Sequence, residues 1–346
     1  MNSALGGQKN RAARKANSYR PEREKMKKHR FAKLFLFVFI INLNLIYAQT
    51  KIDYKKLDNY IADALKKFDV PGFAVGIIKD NNVVFEKGYG IRSAENNIPV
   101  DNQTLFGIGS CSKTFGSTCL GILVDEGKLD WNDKVIDYLP WFRLHDAYVT
   151  RELTIGELLC HRSGLGTFEG DLLWFGTDYT SEEVVKRIRE LPLKNRFRSQ
   201  FGYQNVMFIA AGLVVEAMSG KSWHAFVKEQ IFKPLQMNNS TTIYADLKTA
   251  QNIALPHFRG KPISFINFDN AGPVASVYSS VGDLLKWLKM WINIGKVDDK
   301  QFLSQRTVRA ITSSQMVVSG GAATEPMGTH FYNYGYGSVS YTHLTL

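Results

Sequence analysis

An α+β fold is predicted, and three observations predict it. A hairpin pattern stands near the start, helical segments fill the middle, and the strand–helix alternation of a parallel sheet is missing. The 346 residues are 45% hydrophobic and 12% aromatic, which is enough material for a large core. No period of twenty to fifty residues repeats, which argues against a solenoid.

Taken in order, Tyr54 to Phe68 has helical spacing of Leu57, Ile61, Ala64 and Leu65, and Pro71-Gly72 ends it. Phe73–Ile78 and Val83–Phe85 flank Asp80-Asn81-Asn82 as a hairpin. A helix is expected from Ser110 to Glu126, and a loop with a short helix from Asp130 to Tyr138. Thr154 is the expected N-cap of a helix reaching Leu159, which His161 is expected to cap at the far end. Further helices are expected over Ser181–Leu191, Asn205–Met218 and Trp223–Phe232, and over Ser280–Ile294 with Ser280 or Asp283 as cap.

The net charge of +11 invites a nucleic-acid reading, but its distribution argues against one. Residues 1–33 hold eleven of the 43 Lys and Arg, leaving 32 basic against 30 acidic residues in the body. Met26-Lys27-Lys28-His29-Arg30, the apolar run Leu34–Ile41 and a close at Ile46-Tyr47-Ala48-Gln49 have the three parts of a secretory signal. Export with cleavage after Ala48 is therefore expected, the alternative being an uncleaved anchor. Residues 1–25 precede a usable start at Met26 and are read as an extension outside the fold. Cys111, Cys119 and Cys160 have neither disulfide nor metal-ligand spacing. No phosphate loop or dinucleotide fingerprint occurs, so no cofactor and no metal are expected.

Ser110-Cys111-Ser112-Lys113 carries the chemistry. Residues three apart on a helix share a face, so the Lys113 amine can reach the Ser110 hydroxyl. A serine needs a neighbouring base, and a lysine serves if burial lowers its pKa. A helix start also offers free N–H groups to developing negative charge. Tyr203-Gln204-Asn205 is the second element. Beside an ammonium the Tyr203 phenolate is favoured, so Tyr203 is expected to take the Ser110 proton and return it to a leaving group. Asn205 suits a substrate amide or the fixing of Lys113. Alone, Tyr203 also fits a rim or core tyrosine, and Asn205 a helix N-cap.

With these residues in hand the sequence resembles the serine β-lactamase-related family of class C β-lactamases, DD-peptidases and esterases sharing their fold. Ser110-x-x-Lys113 and Tyr203-x-Asn205 match its first two motifs. Leu105–Ser110, Asp133–Pro140, Thr154–Leu165 and Pro234-Leu235-Gln236-Met237 resemble its intervening stretches, with Gln236 in a glycine place. The resemblance implies an antiparallel sheet flanked by helices, an all-helical lobe, and Ser110 in the cleft between. It also implies an acyl-enzyme on Ser110, Lys113 and Tyr203 as proton carriers, and the Ser110 backbone N–H as half of an oxyanion hole.

The family's third motif, Lys-Thr-Gly or His-x-Gly, has no match after Tyr203. His343-Leu344-Thr345 lacks the glycine, and His330 precedes Phe331. The expected organisation is thus 1–25 extension, 26–48 signal peptide, 49–337 an incomplete catalytic domain, and 338–346 a foreign tail. The last strands and a C-terminal helix are expected to be missing. The function expected is hydrolysis of an ester, amide or β-lactam by an exported monomer acting on a small molecule or peptide. The alternative is a slowly acylating or non-catalytic penicillin-binding sensor. A His161/Ser163 dyad and a Cys111 nucleophile are weaker readings, and Tyr332, Tyr334 and Tyr336 are expected in a cleft wall or core.

Overall fold

The structure is a computed structural model that describes residues 52–318 and 329–343. The expected extension and signal segment lie outside those residues. The chain divides at Tyr60/Ile61. Described residues before that point form the opening turns of α1 (Tyr54–Lys67), and every other element belongs to the second unit.

Strands β1 (Gly72–Lys79) and β2 (Asn82–Gly90) make the expected hairpin. Asp80 and Asn81 turn it with φ of 50° and 64°, the left-handed geometry that Asp and Asn tolerate. Then come β3 (Phe106–Gly107), α2 (Ser112–Asp125), α3 (Val135–Tyr138), α4 (Ala147–Glu152), α5 (Ile155–Leu158), α6 (Ser181–Arg187) and α7 (Val206–Ser219). After these follow α8 (Trp223–Val227), α9 (Tyr244–Leu247), β4 (His257–Phe258), β5 (Lys261–Pro262), α10 (Gly272–Ala275), β6 (Tyr278–Ser279) and α11 (Val281–Ile292). The described chain ends with β7 (Lys296–Val297), β8 (Lys300–Gln301), α12 (Gln305–Thr312), β9 (Met316–Val317), β10 (Thr329–Tyr334) and β11 (Val339–His343).

The α+β expectation holds, with one difference in the sheet. Strands β1 and β2 form one ladder and β11-β10-β9 another, rather than one continuous sheet. Val339–His343, within the stretch read as a tail, pairs antiparallel with β10. Leu285 of α11 packs so closely on β1 that a Cβ at Gly76 would stand 2.8 Å from its side chain.

Helix α7 is the centre of the core. Every residue from Val206 to Val215 is buried, as a helix apolar on all sides requires. Among the described residues no single helix is long and apolar enough to cross a membrane. Helices α2 and α7 both approach Pro273 of α10 through glycine: a Cβ at Gly116 or Gly212 would lie 2.9 or 2.8 Å from its ring. That close approach draws three elements together one turn beyond Lys113.

The caps follow the sequence. Thr154 and Glu157 form a reciprocal capping box on α5. Ser280, not Asp283, caps α11 by accepting the Asp283 N–H. The predicted helix Trp223–Phe232 is α only to Val227 and continues as a π turn over Lys228–Phe232.

Candidate active site

The segment carrying Ser110 is clamped before its helix begins. Strand β3 pairs with β6, Ile108 N donates to Val277 O at 3.0 Å, and Val277 N donates to Ser112 Oγ at 3.1 Å. Gly109 turns the chain with φ of 52°, and a Cβ there would meet nothing within 4 Å. The α-helix starts at Ser112, two residues later than predicted, because Gly109–Cys111 forms a 3-10 turn first. Ser110 is therefore presented, exposed, on that turn.

Lys113 still points back at it. Its amine, on a fully buried side chain, lies 3.1 Å from Ser110 Oγ and donates to Asn205 Oδ1 at 2.7 Å, with Val274 O at 3.5 Å. Burial lowers its pKa from 10.5 to about 7, against an opposing pull from the negative Asp171. As a neutral amine it has two protons for the carbonyl oxygens and a lone pair for the Ser110 hydroxyl.

Tyr203 OH stands 2.8 Å from Ser110 Oγ. Proximity to an ammonium predicts a favoured anion, and the structure shifts the group the other way. Burial holds the phenol above its ordinary pKa, with the Ser110 hydrogen bond as a smaller opposing effect. The Lys113 amine sits 4.8 Å from the centre of the Tyr203 ring and bonds no phenol oxygen. Tyr203 is thus a protonated donor at neutral pH, and Lys113 is the group with the lone pair.

Asn205 occupies the N-cap position of α7, yet its side chain caps nothing. Its oxygen holds Lys113, and its Nδ2 donates to Asp171 Oδ2 at 2.8 Å. Asp171 is the residue that sequence reasoning missed. It opens a 3-10 turn after Gly170, and its Oδ1 takes the Trp174 indole N–H at 3.0 Å. Acceptor-only Asp171 fixes the direction of the Asn205 amide and places negative charge near the amine. Asp171→Asn keeps the shape and removes the charge. The acid limb of kcat/KM is expected to move to lower pH than in the wild type; an unmoved limb in a pH–rate profile would contradict that role.

His161 is not a helix cap. It is buried and its Nδ1 accepts the Gln204 N–H at 2.9 Å. Cys111 is exposed beside Ser110, while Cys119 and Cys160 are buried, their thiols raised by burial. Tyr334 is buried against His161, Tyr336 packs on Trp131, and Tyr332 is 46% exposed, so only two of the three line the interior. Among the described residues no cluster of His, Cys, Asp and Glu has metal-binding geometry. A groove of about 530 Å³, walled by Val70, Ile91, Phe106, Leu255 and Phe265, opens at Gly107 and Gly109.

The mixed fold thus brings an exposed serine within hydrogen-bond reach of a buried lysine amine and a tyrosine phenol. The beta-lactamase family model matches residues 57–344, and the chain belongs to that family. Its fold is similar to that of the octameric penicillin-binding protein homologue from Pyrococcus abyssi, with a TM-score of 0.71 and 27% identity over 83% of this chain and 65% of that one. It is 28% identical over 246 residues to the unguisins hydrolase ungD' of Aspergillus campestris, covering 66% of this chain and 45% of the relative. Protein flp of Staphylococcus aureus strain MW2 is 26% identical over 261 residues, 70% of this chain and 50% of the relative. The chain spans about half the length of these curated relatives.

Proposed function

We propose that the protein is an exported serine hydrolase that forms an acyl-enzyme on Ser110 from an ester, amide or β-lactam. One observation carries the reading: Ser110 Oγ lies 3.1 Å from a buried amine and 2.8 Å from a phenol at once. In the proposed cycle the Lys113 lone pair takes the hydroxyl proton as Oγ bonds to the substrate carbonyl carbon. The Ser110 backbone N–H faces the developing oxyanion. As the carbon–leaving-group bond breaks, Tyr203 gives its proton to the leaving atom and is left as the phenolate. Water then cleaves the acyl-enzyme, giving its proton to the Tyr203 phenolate while the Lys113 ammonium returns a proton to Ser110 Oγ, which restores all three groups. No cofactor, metal or nucleic acid enters the proposal. Export rests on the charge and apolar pattern of residues 26–48.

Because the amine must be neutral, kcat/KM is expected to rise with pH through about 7 and then level. The test of function is labelling by a fluorescent penicillin, followed by turnover of a chromogenic cephalosporin, a p-nitrophenyl ester and a D-Ala-D-Ala peptide. Turnover of any of these supports the hydrolase. Labelling without turnover favours a sensor instead, and neither labelling nor turnover would refute the reading.

A further inference from the structure

We propose that His161 is a positioning residue that holds Tyr203 against Ser110, an inference that rests on the reading of Tyr203 as proton carrier. His161 follows α5 and adopts φ of 62°, a left-handed conformation sterically disfavoured for a residue with a Cβ. Strain of that kind persists only where surrounding contacts hold it, and here the contacts converge on Tyr203. The His161 carbonyl accepts the Gly202 N–H at 2.9 Å, and its ring Nδ1 accepts the Gln204 N–H at 2.9 Å. One residue therefore grips the chain on both sides of Tyr203. The remaining backbone groups of Tyr203 are also held, its N–H by Thr167 Oγ1 at 3.2 Å and its carbonyl by Phe168 N at 2.8 Å.

The phenol ring is aimed by the same residue. The imidazole lies under it, centroids 4.5 Å apart and planes 32° from parallel. Phe201, Phe208 and Tyr334 enclose the imidazole at 5.3, 5.4 and 4.5 Å. Accepting at Nδ1 leaves the neutral ring's proton on Nε2, which finds no hydrogen-bond partner among the described residues. Burial first, and the Lys113 charge second, keep the ring neutral, so the acceptor persists. Outside the aromatic box, buried Glu157 ties Arg162 to Arg198 at 2.8 and 2.5 Å, fastening the His161 loop to the segment leading into Tyr203.

The test compares three variants in the full chain. His161→Asn puts a carbonyl oxygen where Nδ1 was and tolerates the left-handed backbone, so it is expected to keep most of the acylation rate. His161→Gln extends its oxygen past that point, and His161→Leu offers no acceptor. Both are expected to lose roughly a hundredfold in acylation rate with KM little changed, the cost of a misplaced reacting group. Nitrogen-15 NMR of histidine-labelled wild type is expected to show an unprotonated Nδ1, whether or not Ser110 reacts. If Leu fails to fold, Asn against Gln gives the same answer. A folded Gln or Leu variant acylating at the wild-type rate, a folded Asn variant as slow as Leu, or a proton on Nδ1 would each overturn the proposal. A wild type that is never acylated would instead defeat the functional reading, leaving the NMR result to decide the placement.

Discussion

Replacing Lys113 by methionine is expected to slow acylation of Ser110 by about a thousandfold, within the range that a positioned general base supplies. The substitution keeps most of the apolar stem and removes the amine lone pair 3.1 Å from Ser110 Oγ. Stopped-flow burst kinetics with an activated ester measure it, and a loss below about tenfold would remove Lys113 from the base role. The same variant has a thermodynamic signature. The folded-state pKa of about 7 lies below the ordinary 10.5 of an unfolded lysine. Between those values the unfolded chain binds the extra proton, so wild-type stability rises with pH and the penalty for burying the amine is gone above the upper one. Relative to Lys113→Met, wild type should gain about 1.4 kcal/mol per pH unit in that window, read from denaturant unfolding. A flat difference would mean that the folded state keeps the amine charged.

Tyr203→Phe is the second large effect, expected at about a hundredfold on amide or β-lactam acylation. The phenol bonds Ser110 Oγ at 2.8 Å and is held protonated by burial, so the role expected of it is delivery of a proton. An amine leaving group needs that proton, whereas p-nitrophenolate leaves without it. The loss should therefore be much smaller for a p-nitrophenyl ester than for an amide. Equal losses on both would assign Tyr203 to deprotonating serine rather than to protonating the leaving atom.

The parts of this site that were legible in the sequence are those set by short-range geometry. A spacing of three put Lys113 beside Ser110, even though the first turn is 3-10 and the helix begins at Ser112. The Thr154 capping box and the hairpin turn at Asp80-Asn81 are likewise local. Asp171 was invisible because its partner Asn205 is 34 residues away and neither lies on a periodic face. His161 was misread for a related reason: it does end a helix, but its ring serves a strand of chain 43 residues further on. The charge state of Tyr203 was misjudged because sequence gives proximity to a cation without the burial that outweighs it. Asn205 was read with both a substrate role and a lysine-fixing role open, and its oxygen holds Lys113.

The most direct test of the central claim is peptide mapping by mass spectrometry after reaction with a penicillin or an activated ester. A single acyl adduct on the Ser110 hydroxyl is expected, formed quickly in wild type and barely in Lys113→Met. An adduct on the neighbouring Cys111 thiol, or one on Ser110 that forms as fast without the lysine, would contradict it.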